Sequence, residues 1–175
     1  MNMIKTLFKL LVLLVIVAGG YAAVQIFWER PYGNTAAVQI ARPAQTVYAL
    51  LTDTKLLEQW VQGLDQAVPL TQGGLQVGAR RREYLVFDGT RYRVDSEVLA
   101  FQPNQSLRLA ISSAGFSAVA DYTLVPTTGG TMLTLQQQTR YTVMIGKLFA
   151  QLDNFTLQKK LERDLLNLKQ LAESR

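Results

Sequence analysis

Arg81 and Glu83 are the residues whose types and spacing could most directly do chemistry. They stand two apart in Arg80-Arg-Arg-Glu-Tyr-Leu-Val-Phe87, where period-two alternation predicts a strand with both side chains on one face. On an inward face each charge would cost several kcal/mol if buried alone, so the two should pair with each other or with a bound molecule. Glu83 is the candidate general acid or base, with Arg81 and nearby tyrosines as its only plausible helpers. The chain contains no His and no Cys. That excludes His-based triads, thiol nucleophiles, His/Cys zinc sites, disulfides and His-ligated haem. No metal site and no cofactor is expected.

The elements that must position this pair can be read around it. Strands are predicted at about 66–70, 78–87, 90–101, 106–112, 115–126 and 131–142, after a first strand at Thr35–Ala41. Pro43 suits the first position of a short helix through Val47–Leu51. Asp53 or Thr54 can cap a second, carrying Leu56, Leu57, Trp60 and Val61. Trp60 is expected as the core anchor of this helix pair rather than a ligand platform. A long helix is predicted at 144–172. Its apolar stripe, Leu148, Leu152, Phe155, Leu161, Leu165, Leu168 and Ala172, is interrupted at Gln158. Lys159, Lys160, Arg163 and Lys169 read as its solvated face, with anionic headgroups as a second reading.

Asp88-Gly89 between alternating runs is the clearest hairpin signal, and it sets a register. Phe87 faces Thr90, Leu85 faces Tyr92, Glu83 faces Val94 and Arg81 faces Ser96. The other face then pairs Arg82 with Asp95 and Arg80 with Glu97, complementary ion pairs suited to a solvated wall. Carrying the parity onward sets Ala100 opposite Leu107, Ile111 opposite Phe116 and Leu124 opposite Leu133. The inward set is therefore Arg81, Glu83, Leu85, Tyr92, Val94, Ser96, Val98 and Ala100, then Leu107, Leu109 and Ile111. It continues with Phe116, Ala118, Ala120, Tyr122 and Leu124, and ends with Leu133, Leu135, Gln137, Thr139 and Tyr141. Apolar walls with sparse polar groups and several small side chains suit a pocket for a hydrophobic molecule. A filled core is the plain alternative.

The first 28 residues have a different character. Lys5 and Lys9 precede the uninterrupted apolar run 10–28, in which Gln25 is the strongly polar residue. As a helix this run spans roughly 28 Å, near the hydrocarbon thickness of a bilayer. Trp28 and Tyr32 fall at the far edge, where aromatic rings favour the interface. The expectation is an anchor with a cytoplasmic N-terminus and an exported domain, periplasmic in a bacterium. A cleaved signal peptide that releases a secreted domain is the alternative. Residues 29–34 read as a linker and 35–175 as one domain. Net charge is +5 among 175 residues, but the basic residues form no patch with interleaved aromatics, so no nucleic-acid partner is expected.

Strand, two short helices, a six-strand antiparallel meander and a long closing helix resemble the START-like helix-grip superfamily. That superfamily (SRPBCC) includes the polyketide cyclase/dehydrase and lipid-transport type proteins. Ile40-Ala-Arg-Pro-Ala-Gln-Thr-Val-Tyr-Ala-Leu-Leu-Thr-Asp53 with Trp60 is similar to the family's entry to its helix pair. Val77-Gly78, Gly129-Gly130-Thr131 and Leu161-Glu-Arg-Asp-Leu-Leu-Asn-Leu-Lys169 are similar to its third strand lead-in, last strand and closing helix. The resemblance covers about 35–172. It implies an α+β fold, a seven-stranded antiparallel sheet wrapped around the C-terminal helix with a cavity between them. Together with the apolar N-terminal run, that cavity points to a membrane-anchored binding module for a lipid, quinone-like or other apolar molecule. An aromatase/cyclase- or dehydratase-type enzyme using Glu83 and cavity tyrosines is the alternative, and an interaction domain with a vestigial cavity is a third.

Overall fold

The computed structural model describes residues 2–27 and 31–175. Trp28, expected at the membrane interface, lies outside them, as do Glu29 and Arg30 of the expected linker and the side chain of Leu148. An apolar helix, α1 (Asn2–Phe27), comes first, and its Lys5–Val24 portion is long and apolar enough to cross a bilayer. It is followed by β1 (Tyr32–Ile40), α2 (Ala44–Thr52), α3 (Thr54–Leu57) and β2 (Leu64–Pro69). Then come β3 (Arg80–Phe87), β4 (Thr90–Gln102), β5 (Ser106–Ser112), β6 (Phe116–Thr127), β7 (Gly130–Tyr141) and α4 (Met144–Glu173). The seven strands form one antiparallel sheet in the order β1-β7-β6-β5-β4-β3-β2.

Local chemistry explains the boundaries. Pro43 caps α2 rather than entering it, and Asp53 caps α3 by accepting the Lys55 amide at 2.9 Å. Asp88 and Gly89, with φ of 47° and 74°, make the two-residue turn that the right-handed strand twist favours. The strand expected from Thr35 begins at Tyr32, so positions 32–34 belong to the sheet and not to a linker. They are strand because β7 supplies partners out to Thr139, and because Gln158 of α4 bonds both the amide and the carbonyl of Thr35. The residue that interrupts the apolar stripe thus satisfies backbone groups beside an edge strand.

The C-terminal half of α4 closes the core. Leu161, Leu165, Leu168 and Ala172 are buried with Ile40, Leu107, Leu133 and Leu135 of the sheet and with Val47, Leu50, Leu51 and Leu57 of the short helices. Each such leucine contributes about 1.5–3 kcal/mol by leaving water. Lys169 donates to the Gln39 carbonyl at 2.6 Å and Glu173 accepts from Ala41 at 2.8 Å, which pins the helix end to the end of β1.

Two expectations about this layer are corrected. The stripe on α4 is two stripes, because Leu152 and Phe155 are 72% and 61% exposed while Leu161 and its successors are buried. The step from 155 to 161 is six residues, about 600° of helix rotation, which carries the second group to a different face. Lys169 is half-buried by its carbonyl contact and is not part of a solvated face.

A cavity between the sheet and the closing helix

The β3–β4 register is the expected one, with Arg81 opposite Ser96, Glu83 opposite Val94 and Leu85 opposite Tyr92. On the outer wall Arg82 pairs with Asp95 at 2.7 Å and Arg80 with Glu97 at 3.8 Å. The Arg82 guanidinium holds the Asp95 carboxyl below the usual carboxylate range.

Beyond Val98 the register differs. A bulge sets Val98 opposite Leu109 but Ala100 opposite Arg108, and Phe101 takes the place facing Leu107. Ala100 is consequently exposed and not inward. Ile111 pairs with Ala118 rather than Phe116, a shift of two that leaves both on the same face. Leu124 faces Leu133 as expected.

A cavity of about 620 Å³ opens between the inner face and α4. Arg81, Glu83, Leu85, Tyr92, Val94, Ser96, Leu109, Phe116, Tyr122, Leu135 and Gln137 of the inward set line it. Val98 instead lines an adjoining space of about 530 Å³ under the 70–75 loop, which shares Arg81, Ser96 and Leu109 with the first. Leu107, Ala118, Ala120 and Thr139 are buried on the inner face but lie outside the cavity wall. Tyr141 stacks edge-on against Tyr32 at 5.8 Å, also away from the cavity, and burial pushes its hydroxyl up to about 12.

Arg81 and Glu83 do pair across their shared face, Nε to Oε1 at 2.5 Å, and Ser96 donates to the same carboxylate oxygen at 3.2 Å. Arg81 sits on the wall common to both spaces, and Glu83 lines the larger one. On the opposite wall is a second pair, whose lysine was expected on the solvated face of the helix. Lys160 reaches Asp164 at 2.5 Å, and both line the cavity. Asp164 also accepts the Gln62 amide at 2.8 Å, tying α4 to the turn before β2. Burial raises its carboxyl above the ordinary range, and the Lys160 charge opposes that shift. The missed signal was phase: Leu157, Lys160, Leu161, Asp164, Leu165 and Leu168 recur at three- and four-residue steps, so this pair belongs to the inward half of the helix.

Tyr122 lies within electrostatic reach of both pairs. It is half-buried in the cavity wall, and burial pushes its hydroxyl well above 10, so it remains a neutral donor at physiological pH. Trp60 is a core anchor as expected, donating to the Leu50 carbonyl at 3.1 Å, while one side of it also meets the cavity with Leu51, Leu57 and Val61. Phe87 and Tyr92, at a ring separation of 6.3 Å, stand with Asp88 where the β3–β4 hairpin meets the cavity.

The family model described as polyketide cyclase/dehydrase and lipid transport matches residues 34–173, the part of the chain that encloses this cavity. The chain belongs to that family. Its sheet and long helix give it the START-like helix-grip architecture. Among solved structures, a protein of Rhizobium leguminosarum is similar at 18% identity over 85% of this chain and 98% of its own, with a TM-score of 0.67. A Thermus thermophilus protein is similar at 20% identity over 81% and 97%, with a TM-score of 0.66. The protein Ara h 8.0201 shares the fold at 10% identity over 83% and 100%, with the same TM-score of 0.66. No curated protein matches the chain. α1 lies before the residues matched by the polyketide cyclase/dehydrase and lipid-transport family model.

Proposed function

We propose that this protein is a membrane-anchored binding module, holding one hydrophobic molecule with a small uncharged polar end between its sheet and α4. The observation that carries the reading is the cavity itself. Its volume of about 620 Å³ falls in the usual range of roughly 300–1,000 Å³ for small-molecule sites, and its wall is mostly apolar. The buried and half-buried charges inside it form two closed pairs, Arg81 with Glu83 and Lys160 with Asp164, while the exposed carboxylates of Asp88 and Asp153 border it on the solvent side. Each pair is neutral, so a ligand charge would have to displace an existing partner and leave a buried one uncompensated. A carbonyl or hydroxyl group can instead bond to Tyr122, Ser96 or Gln137 without that cost. A lipid or quinone-like molecule has that form.

The apolar helix supports the anchoring part. With Lys5 and Lys9 before the apolar run, the positive-inside rule leaves the N-terminus cytoplasmic and exports residues 35–175, to the periplasm in a bacterium. A bilayer-dwelling ligand gives such an anchor a purpose. The test is native mass spectrometry of the full chain, released from detergent after incubation with a total lipid extract. The expected spectrum shows a one-to-one adduct with a neutral lipid or isoprenoid. Bare protein at all extract concentrations would overturn the reading.

A further inference from the structure

The outward face of α4 changes character half-way along. Met144, Leu152 and Phe155 are 66%, 72% and 61% exposed, and they lie within about 80° of one another around the helix. The buried Leu161, Leu165 and Leu168 centre on a different face, roughly 125° away around the helix. Further along the outward face come Lys159 and Glu162, both exposed, and then Leu166. Soluble proteins rarely leave such an apolar stretch to water without a partner.

The place of this stretch in the fold says what that partner is. Four positions separate Phe27, the end of α1, from Tyr32, and the intervening chain reaches at most about 17 Å. Tyr32 packs on Tyr141, three residues before α4 begins, and α1 itself touches α4. The start of α4 is thus held at the foot of the apolar helix. Lys159 sets its ammonium 4.4 Å over the Phe155 ring, an apolar stem with a cation suited to lipid headgroups.

We propose that the N-terminal half of α4 lies on the bilayer surface, with Met144, Leu152 and Phe155 inserted into the interfacial layer and Lys159 among the headgroups. The proposal rests on the anchoring reading of α1. It also sets the cavity against the membrane, because Asp153, Thr156 and Leu157 from the same turns line the cavity wall. A ligand then passes between bilayer and cavity along α4 without crossing water.

The chain has no cysteine, so one introduced thiol labels one position. Leu152→Cys and Leu166→Cys, each in the full chain and carrying an environment-sensitive dye, are reconstituted into phosphatidylethanolamine–phosphatidylglycerol vesicles containing a shallow spin-labelled phosphatidylcholine. The expected result is a blue-shifted dye at 152, quenched by the spin-labelled lipid roughly threefold more than the dye at 166. The dye at 166 should be quenched by aqueous iodide. Vesicle flotation separates the two ways of failing. A chain that floats but shows iodide quenching at both positions overturns the docking while leaving the anchor intact. A chain that does not float overturns both. A dye at 152 shielded from lipid and iodide alike means that α1 or a second copy covers this face, and overturns the docking.

Discussion

Asp95 and Asp164 sit on opposite walls of the molecule and respond to it in opposite ways. Asp95 is lowered chiefly by its hydrogen bond from Arg82, so its stabilising contribution is complete above the unfolded-state value near 3.9 and is lost as pH falls through its lower folded value. Asp164 is raised chiefly by burial. Its contribution is complete below about 3.9 and is lost as pH rises through its higher folded value. In chemical denaturation from about pH 3 to pH 7, Asp95→Asn should therefore lose ground to the wild type as pH rises, and Asp164→Asn should gain it. Parallel slopes for the two variants would contradict the assigned environments. Arg81 with Glu83 was legible because both residues sit on one predicted strand face. Lys160 with Asp164 was not, because an i,i+4 pair on a helix has the same spelling whether it faces water or a cavity.

Strand pairing shows where local sequence determines geometry and where it does not. The β3–β4 register followed from a two-residue turn, whose backbone admits few alternatives, and from two outer ion pairs that agree with it. The bulge after Val98 left no such mark, since Leu99 and Ala100 fit either face by composition. On α4 the phase change was present in the spacing, in the six-residue gap between Phe155 and Leu161, but a stripe traced through the gap hides it. The corner between β7 and α2 depends on one residue. Gly130 has φ of 130°, and a Cβ there would clash with the Ile40 carbonyl oxygen and stand 2.8 Å from the Arg42 nitrogen. Gly130→Ala should cost about 2–4 kcal/mol or prevent folding. Gly129→Ala, whose nearest neighbour would be a flexible Gln39 side-chain atom at 3.9 Å, should shift the urea midpoint little. Equal effects from the two would contradict the close-approach account of this corner.

As a whole molecule, the protein is a sheet closed on one side by a helix whose two halves do different work. The C-terminal half fills the core with Leu161, Leu165, Leu168 and Ala172, while the inner surface beneath Leu157 and Lys160 stays open. The fold was readable because element order, hairpin signals and the long closing helix all agree with one architecture. The extent of the cavity was not, because strand parity reports which side chains face inward and not whether the space between them is filled. Leu107, Ala118, Ala120 and Thr139 have the parity of cavity residues yet pack away from the cavity. Ile111 is half-buried and projects into the open part, so enlarging it removes space with little disturbance to the packed core. Native mass spectrometry of Ile111→Trp beside the wild type, after equal exposure to the same lipid extract, tests the central claim most directly. The account predicts a folded variant that has lost at least about tenfold in bound adduct. A variant that carries the adduct as fully as the wild type would place the ligand elsewhere and contradict it.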